Sequence, residues 1–260
     1  MKILYVGDVM GEVGLATIEA VLPKLKAERE IDLVIAQSEN VSEGKGISVA
    51  DFRRLQAAGV DFCTGGNWSL HRPEIFPPLN DAAEPIIRPA NYPEGTPGLG
   101  YKYVKDVLVV SLLGNVVGKD ADKPVDNPLK KIDQILAAQK DVKKAGIVIN
   151  FHGDFSSQKV IIGHYLDGRV TTVVGDHWHV PTADARVLPG GTAHVSDVGM
   201  VGVLDASLGV KYDSVIPRWR DDQPTRNQLE TAGPRQFNAV LVTSNQNGLA
   251  DSIEQIQRLI

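Results

Sequence analysis

The chain has 260 residues, 43% hydrophobic and 23% charged, which is long enough for a sizeable core and too apolar for a disordered segment. Its net charge of -5 argues against a broad electrostatic surface for nucleic acids, although a small nucleotide can still bind in a local pocket. The single cysteine, Cys63, excludes an internal disulfide framework and a cysteine-rich zinc site, and no apolar run is long enough to span a bilayer. We therefore expect a cytoplasmic protein with one domain over residues 1–260 and no membrane partner.

Strands and helices alternate along the first half of the chain, which is typical of an α/β fold. The first predicted helix presents Leu15 and Ile18 on one face, and Pro23 predicts a kink or a restart within it. Ser48 and Asp51 form a capping-box-like start for the second helix, which stops at Gly59. The predicted strands of this half are Ile3–Gly7, Leu33–Ala36, Val60–Thr64 and Val107–Leu113.

The second half follows a proline-rich segment between Pro73 and Gly100, where we expect a long structured loop around a short helix. Asn127 and Pro128 predict the start of a helix that ends at Gly146. The remaining predicted elements are the strands Ile147–Phe151, Val170–Val174, Thr192–Ser196 and Phe237–Thr243 and the helix Lys159–Leu166. Because no strong helix is predicted beyond these, the C-terminal part has an α+β character.

Polar side chains follow the predicted strands at the points where the strands end. In a sheet with parallel strands these ends gather at one edge, where ligands bind. Without a cysteine, the set suits two adjacent divalent or trivalent ions such as iron, manganese or zinc, with one carboxylate bridging the pair. Each asparagine alone would more often be a turn residue, so the prediction depends on their joint placement. The residues are Asp8, Glu39, Asn40, Asn67, His152, His177 and His179.

The two histidines of the last group stand one residue apart. In an extended chain, residues i and i+2 point to the same side, so we expect His177 and His179 to reach one small space together. Two neutral imidazoles directed at one space are what a transition-metal site needs.

Several of these segments resemble the calcineurin-like metallophosphoesterases, and more narrowly the YmdB-like cyclic-nucleotide phosphodiesterases. The resemblance covers Met1 to about Val201 and is looser over the last ~60 residues. The segments that carry it are Gly7-Asp8, Ser38-Glu39-Asn40, Gly44-Lys45-Gly46, Gly65-Gly66-Asn67, Arg88–Gly98, His152, Asp167-Gly168-Arg169, Gly175–His179 and Ser196–Met200. It implies a four-layer α-β-β-α sandwich with two mixed sheets, two ions at its edge and, as a further expectation, a homo-oligomer.

The resemblance also implies a division of the ligands between the ions. By that likeness, the first ion is held by Asp8, Asn40 and His179, and Glu39 bridges both ions. The second ion is held by Asn67, His152 and His177. The broad superfamily has a histidine two residues after the first aspartate, whereas this chain has Met10, and in the subgroup Asn40 takes over that ligand role.

The activity that the resemblance implies is hydrolysis of small phosphodiesters, 2′,3′-cyclic or 3′,5′-cyclic nucleotides, by a hydroxide that bridges the metals. The family has a histidine as general acid after the third strand, and this chain has Trp68 there, which cannot deliver a proton. His71 is three residues further on and either swings into that role or is a surface histidine.

Two basic residues are candidates for substrate binding. Lys45 lies in a glycine loop that resembles a phosphate cradle but lacks the P-loop spacing. Arg169 either neutralises a substrate phosphate or pairs with a nearby carboxylate. Two other functions stay open: a metal-containing regulatory protein with weak turnover, which Trp68 favours, and a phosphomonoesterase or nuclease.

Overall fold

The structure is a computed structural model that describes residues 1–118 and 121–260. The strands are β1 (Lys2–Val6), β2 (Asp8–Val9), β3 (Leu33–Gln37), β4 (Phe62–Thr64), β5 (Tyr101–Val104), β6 (Val107–Leu113), β7 (Gly146–His152), β8 (Thr172–Asp176), β9 (Arg186–Val187), β10 (Ala193–Val195), β11 (Met200–Val203), β12 (Arg235–Ser244) and β13 (Ala250–Leu259). The α-helices are α1 (Gly11–Arg29), α2 (Val49–Ala57), α3 (Phe76–Asn80), α4 (Pro128–Ala138), α5 (Ser156–Tyr165) and α6 (Ile216–Asp221), with short 3-10 turns at Pro73–Ile75 and Tyr212–Ser214.

The strands form two mixed sheets. The first sheet has the order β2-β11-β12-β1-β3-β4, with β13 paired to β12, and β1, β3 and β4 run parallel. The second has the order β5-β6-β7-β8-β10-β9, and its four inner strands run parallel, with antiparallel strands at both edges. The prediction of two mixed sheets is confirmed.

Apolar residues alternate between the two faces of each sheet, and this alternation builds the layers. In β1, Ile3 and Tyr5 face the second sheet, where they pack in one core with Val109 and Val174. The intervening Leu4 and Val6 face α1 and α2. A third core lies between the second sheet and α4 and α5. Helices therefore cover both outer faces, which confirms the four-layer α-β-β-α sandwich.

Two of the predicted helices differ from those observed. The first does not break at Pro23, because α1 is continuous and its apolar face, including Leu22 and Leu25, is buried on both sides of the exposed proline. The stabilisation from burying this apolar face outweighs the loss of the one backbone hydrogen bond that the proline cannot form. The helix that begins at Asn127 ends at Ala138 rather than Gly146. The segment after Ala138 is largely polar, and its Val142 is exposed. A longer helix would therefore gain no buried apolar surface in this segment.

The C-terminal part contains elements that the sequence pattern did not reveal. Strand β11 and the long strand β13 join the first sheet, and α6 is a helix of only six residues. Strand β13 exposes every residue apart from Ala250, Ile253 and Ile256, so it carries only a weak apolar signal. The α+β character of this part is confirmed. Among the described residues, no helix is both long enough and apolar enough to cross a bilayer.

Candidate metal centre

The seven predicted ligands lie at one edge of the sandwich, where the parallel strands of both sheets end. Asp8 begins β2 directly after β1, and Glu39 and Asn40 follow β3. Asn67 follows β4, on the same sheet. The second sheet contributes the other three, because His152 ends β7 and the chain leaves β8 at His177 and His179. The structure therefore brings together residues that are up to 171 positions apart in the chain.

Three of these residues form a first group. The Asn40 amide Nδ2 donates to both carboxylate oxygens of Asp8 at 3.0 Å. His179 Nε2 lies 3.3 Å from Asp8 Oδ2 and 3.5 Å from Asn40 Nδ2. All three side chains are buried. A metal ligand from Asn40 must be Oδ1, so metal binding at this position requires the amide to turn over.

Four residues form the second group, which adjoins the first because Glu39 and Asn40 are consecutive. His152 Nε2 lies 3.0 Å from Glu39 Oε1 and 2.8 Å from Asn67 Oδ1. The rings of His152 and His177 lie 4.3 Å apart between centroids. One donor atom each from Glu39, His152 and His177 falls within 4.8 Å of the other two, which is the size of a metal site.

The donor set fits a bound cation on two observations. Glu39 Oε1 is buried and accepts no hydrogen bond of regular geometry within residues 1–118 and 121–260, and the polar atom that faces it at 3.0 Å is His152 Nε2, itself a predicted ligand. Gly66 leaves room at this point, since a Cβ there would lie 2.5 Å from both Glu39 Oε2 and the His152 ring. Oxygen and imidazole nitrogen donors without sulfur suit iron, manganese or zinc.

The two histidines after β8 do not share one space, so this part of the sequence prediction is wrong. The strand ends at Asp176, and His177 and His179 have φ values of 103° and 63° instead of extended backbone. His177 turns towards His152 and Asp154, with its Nε2 3.2 Å from Asp154 Oδ2. His179 turns towards Asp8. One imidazole therefore goes to each group, as the family resemblance implied.

The pKa values of the two groups are shifted by burial and by the opposite charges of neighbouring carboxylates and imidazoles. Burial raises the pKa of Asp8, and attraction to His179 offsets only part of that rise. Burial alone would lower the pKa of His152, but the neighbouring carboxylates of Glu39 and Asp176 outweigh it and raise the pKa. The hydrogen bond from His177 lowers the pKa of Asp154. The centre is thus built from anionic oxygens that attract positive charge.

Sequence reasoning missed the residues that orient the ligands. Asp176 Oδ1 accepts from His152 Nδ1 at 2.6 Å, and Asp176 Oδ2 accepts from Asn150 Nδ2 at 2.6 Å and Gln37 Nε2 at 2.8 Å. Because Asp176 holds the Nδ1 proton, Nε2 of His152 presents its lone pair to the centre. Asp176 precedes His177 directly, and an acidic residue beside a ligand histidine was the available signal.

The other predicted site residues are placed as follows. Trp68 lies beside the second group, where its backbone N–H donates to Glu39 Oε2 at 2.9 Å. Lys45 Nζ lies 4.6 Å from the centre of the Trp68 ring, and His71 packs its ring edge-on at 5.2 Å. Arg169 is not part of this cluster: it precedes β8, at the opposite end of that strand, and pairs with Asp133 at 2.6 Å. The carboxylate-pairing alternative is the one observed for Arg169.

Comparison with known proteins agrees with this geometry. Residues 4–256 match the family described as YmdB-like protein. Over 256 residues, 98% of this chain and 96% of the relative, the sequence is 37% identical to a 2′,3′-cyclic-nucleotide 2′-phosphodiesterase of Bacillus subtilis (strain 168).

Two solved structures share the fold over the whole chain. A hypothetical protein from Thermus thermophilus is 33% identical, with a TM-score of 0.89 over 100% of this chain and 99% of that one. A novel phosphatase from Mycoplasma pneumoniae is 27% identical, with a TM-score of 0.91 over 100% of this chain and 93% of that one.

The sandwich fold and the named relatives define the class of the protein, a metallophosphoesterase, which confirms the predicted type of enzyme. Within that class, the chain belongs to the YmdB-like family.

Proposed function

We propose that this protein is a two-metal phosphodiesterase that acts on small cyclic nucleotides, with 2′,3′-cyclic nucleotides as the first substrate class. The observation that carries the proposal is the pair of adjoining ligand groups, which meet at the consecutive residues Glu39 and Asn40. The name of the Bacillus subtilis relative supports the substrate class. The net charge of -5 agrees with a small substrate rather than a long nucleic acid.

In this proposal Asp8, Asn40 and His179 would hold the first ion, Asn67, His152 and His177 would hold the second, and Glu39 would be a ligand of both. When bound, such a pair supplies a water of lowered pKa and positive charge for the phosphoryl oxygens. The residues of the chain orient the donors: Asp176 fixes the His152 tautomer, and the backbone N–H of Trp68 holds Glu39 Oε2. Once the Asn40 amide has turned to present Oδ1, the buried side chains need little further reorganisation during the reaction.

The proposal is tested by comparing one glutamate inside the candidate centre with one outside it. Glu39→Gln removes the bridging charge, and we expect hydrolysis of 2′,3′-cyclic AMP with added manganese to fall by about 10²-fold or more, with less bound metal by elemental analysis. Glu28→Gln is the matched control, because Glu28 is exposed near the C-terminal end of α1, where it pairs with Lys24. Equal activity and equal metal content in the two variants would contradict a metal-dependent reaction at this centre.

The substrate class needs a separate panel. The same preparation is assayed with 2′,3′-cyclic AMP, 3′,5′-cyclic AMP, bis-p-nitrophenyl phosphate, phosphate monoesters and RNA. We expect the highest kcat/KM for a 2′,3′-cyclic nucleotide. Faster turnover of a monoester or of RNA would replace this proposal with the phosphomonoesterase or nuclease alternative.

A second candidate function is a metal-containing regulatory protein with weak turnover. The observation that favours it is Trp68, whose indole cannot deliver the proton that the family histidine delivers. Trp68→His distinguishes the two, since a gain of about 10² in kcat would indicate that the chain lacks an acid. A change of less than about tenfold would show that the acid is supplied by another residue.

A further inference from the structure

Positive charge surrounds the indole of Trp68. Lys45 Nζ lies 4.6 Å from the centre of the ring, and Lys123 Nζ lies 5.9 Å from it. A cation over an indole face is attracted by the electrons of the ring. The backbone N–H of Trp68 donates to Glu39 Oε2, so the indole that these ammonium groups approach belongs to a residue in contact with the second ligand group.

The loop that carries Lys45 is held rigidly by Arg72. The guanidinium donates to Lys45 O and to Ser42 O, both at 3.0 Å, and to the Glu43 carboxylate at 2.8 Å. Gly46 lets the two segments approach, since a Cβ there would lie 3.1 Å from Arg72 Cγ. The backbone of Lys45 is therefore fixed, and its side chain is directed across the Trp68 face.

The Lys45 ammonium is available to a substrate. The side chain is exposed, and within the part of the chain that the structure describes it forms no hydrogen bond or ion pair. An ammonium has three N–H donors. Its contact with the Trp68 ring is electrostatic, so the N–H groups stay available for hydrogen bonds to a substrate. Lys45 thus combines a backbone held in place with a positive charge and a transferable proton, and the last two are properties that an indole lacks.

We propose that Lys45 is a catalytic residue that does the work of the missing histidine, an inference that rests on the proposed function. Its ammonium binds a phosphoryl oxygen and protonates the leaving ribose oxygen. The attacking water oxygen forms a new bond to phosphorus and releases one of its protons to solvent, while the phosphorus–ribose oxygen bond breaks and its electron pair goes to the ribose oxygen. The proton passes from Lys45 Nζ to that oxygen, and solvent later returns a proton to the amine. Trp68 is the positioning residue for this group.

The test compares substrates that differ in their need for an acid. In 2′,3′-cyclic AMP the leaving group is an alkoxide, whereas bis-p-nitrophenyl phosphate releases a stable phenolate that needs no proton. With the full-length, manganese-loaded protein, Lys45→Met is expected to lower kcat for the cyclic nucleotide by about 10²–10⁴-fold and for the nitrophenyl ester by less than about tenfold. Lys45→Arg keeps the charge but cannot give up a proton, so it is expected not to restore the first activity.

Two controls and one equilibrium measurement accompany the rates. Lys123→Met removes the more distant ammonium and His71→Gln removes the other titratable neighbour of Trp68, and each is expected to retain kcat within about threefold on both esters. Binding of inorganic phosphate, followed by calorimetry, is expected to weaken about tenfold in Lys45→Met and to be regained in Lys45→Arg. This readout does not depend on turnover.

Three results would overturn the inference. Full activity of Lys45→Met on the cyclic nucleotide would remove Lys45 from the reaction, and equal losses on the two esters would leave it no role as an acid. A loss found only in His71→Gln would assign the acid to His71. If the unaltered protein hydrolysed neither ester while its bound metal was intact, the proposed function itself would be refuted, and this inference with it.

Discussion

At the scale of single residues, the candidate metal centre contains a buried carboxylate, Asp176, that is not among the seven predicted ligands. Asp176 is fully buried, and its pKa is lowered even though burial alone would raise it, because His152 and Lys159 favour the charged form. Three side-chain amide or imidazole donors surround it, from Gln37, Asn150 and His152. A charged acceptor held in this way fixes the orientation of a ligand histidine more firmly than a carbonyl does.

Asp176→Asn tests this dependence. The amide replaces a charged acceptor, so His152 loses the partner that selects its tautomer, and we expect metal affinity and kcat to fall by about 10–100-fold. Both are measured, by metal titration and by hydrolysis of 2′,3′-cyclic AMP. Asp133→Asn is the control, since Asp133 pairs with Arg169 at the far end of β8 and is expected to leave both quantities unchanged. Unaltered metal affinity in Asp176→Asn would contradict the role assigned to Asp176.

At the scale of elements, one buried lysine joins α5, the end of β8 and the loop that carries the two histidines. Lys159 Nζ donates to Asp176 O and to Asp197 Oδ2, the latter at 2.8 Å, and lies 4.2 Å over the Trp178 ring. Asp197 Oδ2 also accepts from the backbone N–H of Trp178 at 2.8 Å. His177 and His179, on either side of Trp178, have positive φ values. The Lys159–Asp197 ion pair stabilises this backbone through the hydrogen bond to the Trp178 N–H.

Removing one partner of this pair leaves a buried charge uncompensated. Lys159→Met is expected to lower the free energy of unfolding by about 3–5 kcal/mol, measured by chemical denaturation. Lys159→Met combined with Asp197→Asn is expected to be more stable than the sum of the two single changes predicts, because the orphaned charge is gone. Lys130→Met is the control, because Lys130 is exposed on α4. We expect it to change the free energy of unfolding by no more than about 0.5 kcal/mol. Strict additivity would contradict the ion-pair account.

At the scale of the whole molecule, the core between the sheets and helices keeps ionisable groups neutral. Cys63 in β4 is fully buried beside residues of α2, and burial raises the pKa of its thiol to about 12 from an ordinary value of 9.0. The unfolded chain releases this proton near pH 9, whereas the folded protein keeps it. The stabilisation is therefore complete below pH 9 and is lost as the pH rises towards 12.

This linkage is measurable by denaturation between about pH 9 and pH 10.5. We expect the free energy of unfolding to fall with pH more steeply in the unaltered protein than in Cys63→Ala, by about 1.4 kcal/mol per pH unit. The raised pKa of Tyr5, caused mainly by burial, is shared by both proteins and cancels in the comparison. Parallel slopes would show that the thiol ionises in the folded state, and rapid native labelling by a thiol reagent at about pH 8 would agree with that outcome.

Much of the molecule followed from patterns along the chain. The apolar runs predicted β1, β3, β6 and β7 closely, and Asn127 caps α4 as its residue type indicates, accepting from the N–H groups of Leu129 and Lys130. Patterns failed where an element has little apolar contrast, as in β13, or where burial outweighs a local preference, as at Pro23 in α1. Arg169 shows the same limit, because only its place in the fold shows which carboxylate it meets.

The sequence by itself determined the layered fold, the family resemblance and the seven candidate ligands, since strand ends and residue types are local properties. Only the tertiary structure decided which side chains orient the predicted ligands, which hydrogen bonds link them and which cation lies over Trp68. Those features depend on contacts between segments far apart in the chain, such as Asp176 with Gln37 or Lys45 with Trp68. Such contacts are set by how the two sheets pack, and no spacing along the chain records that packing.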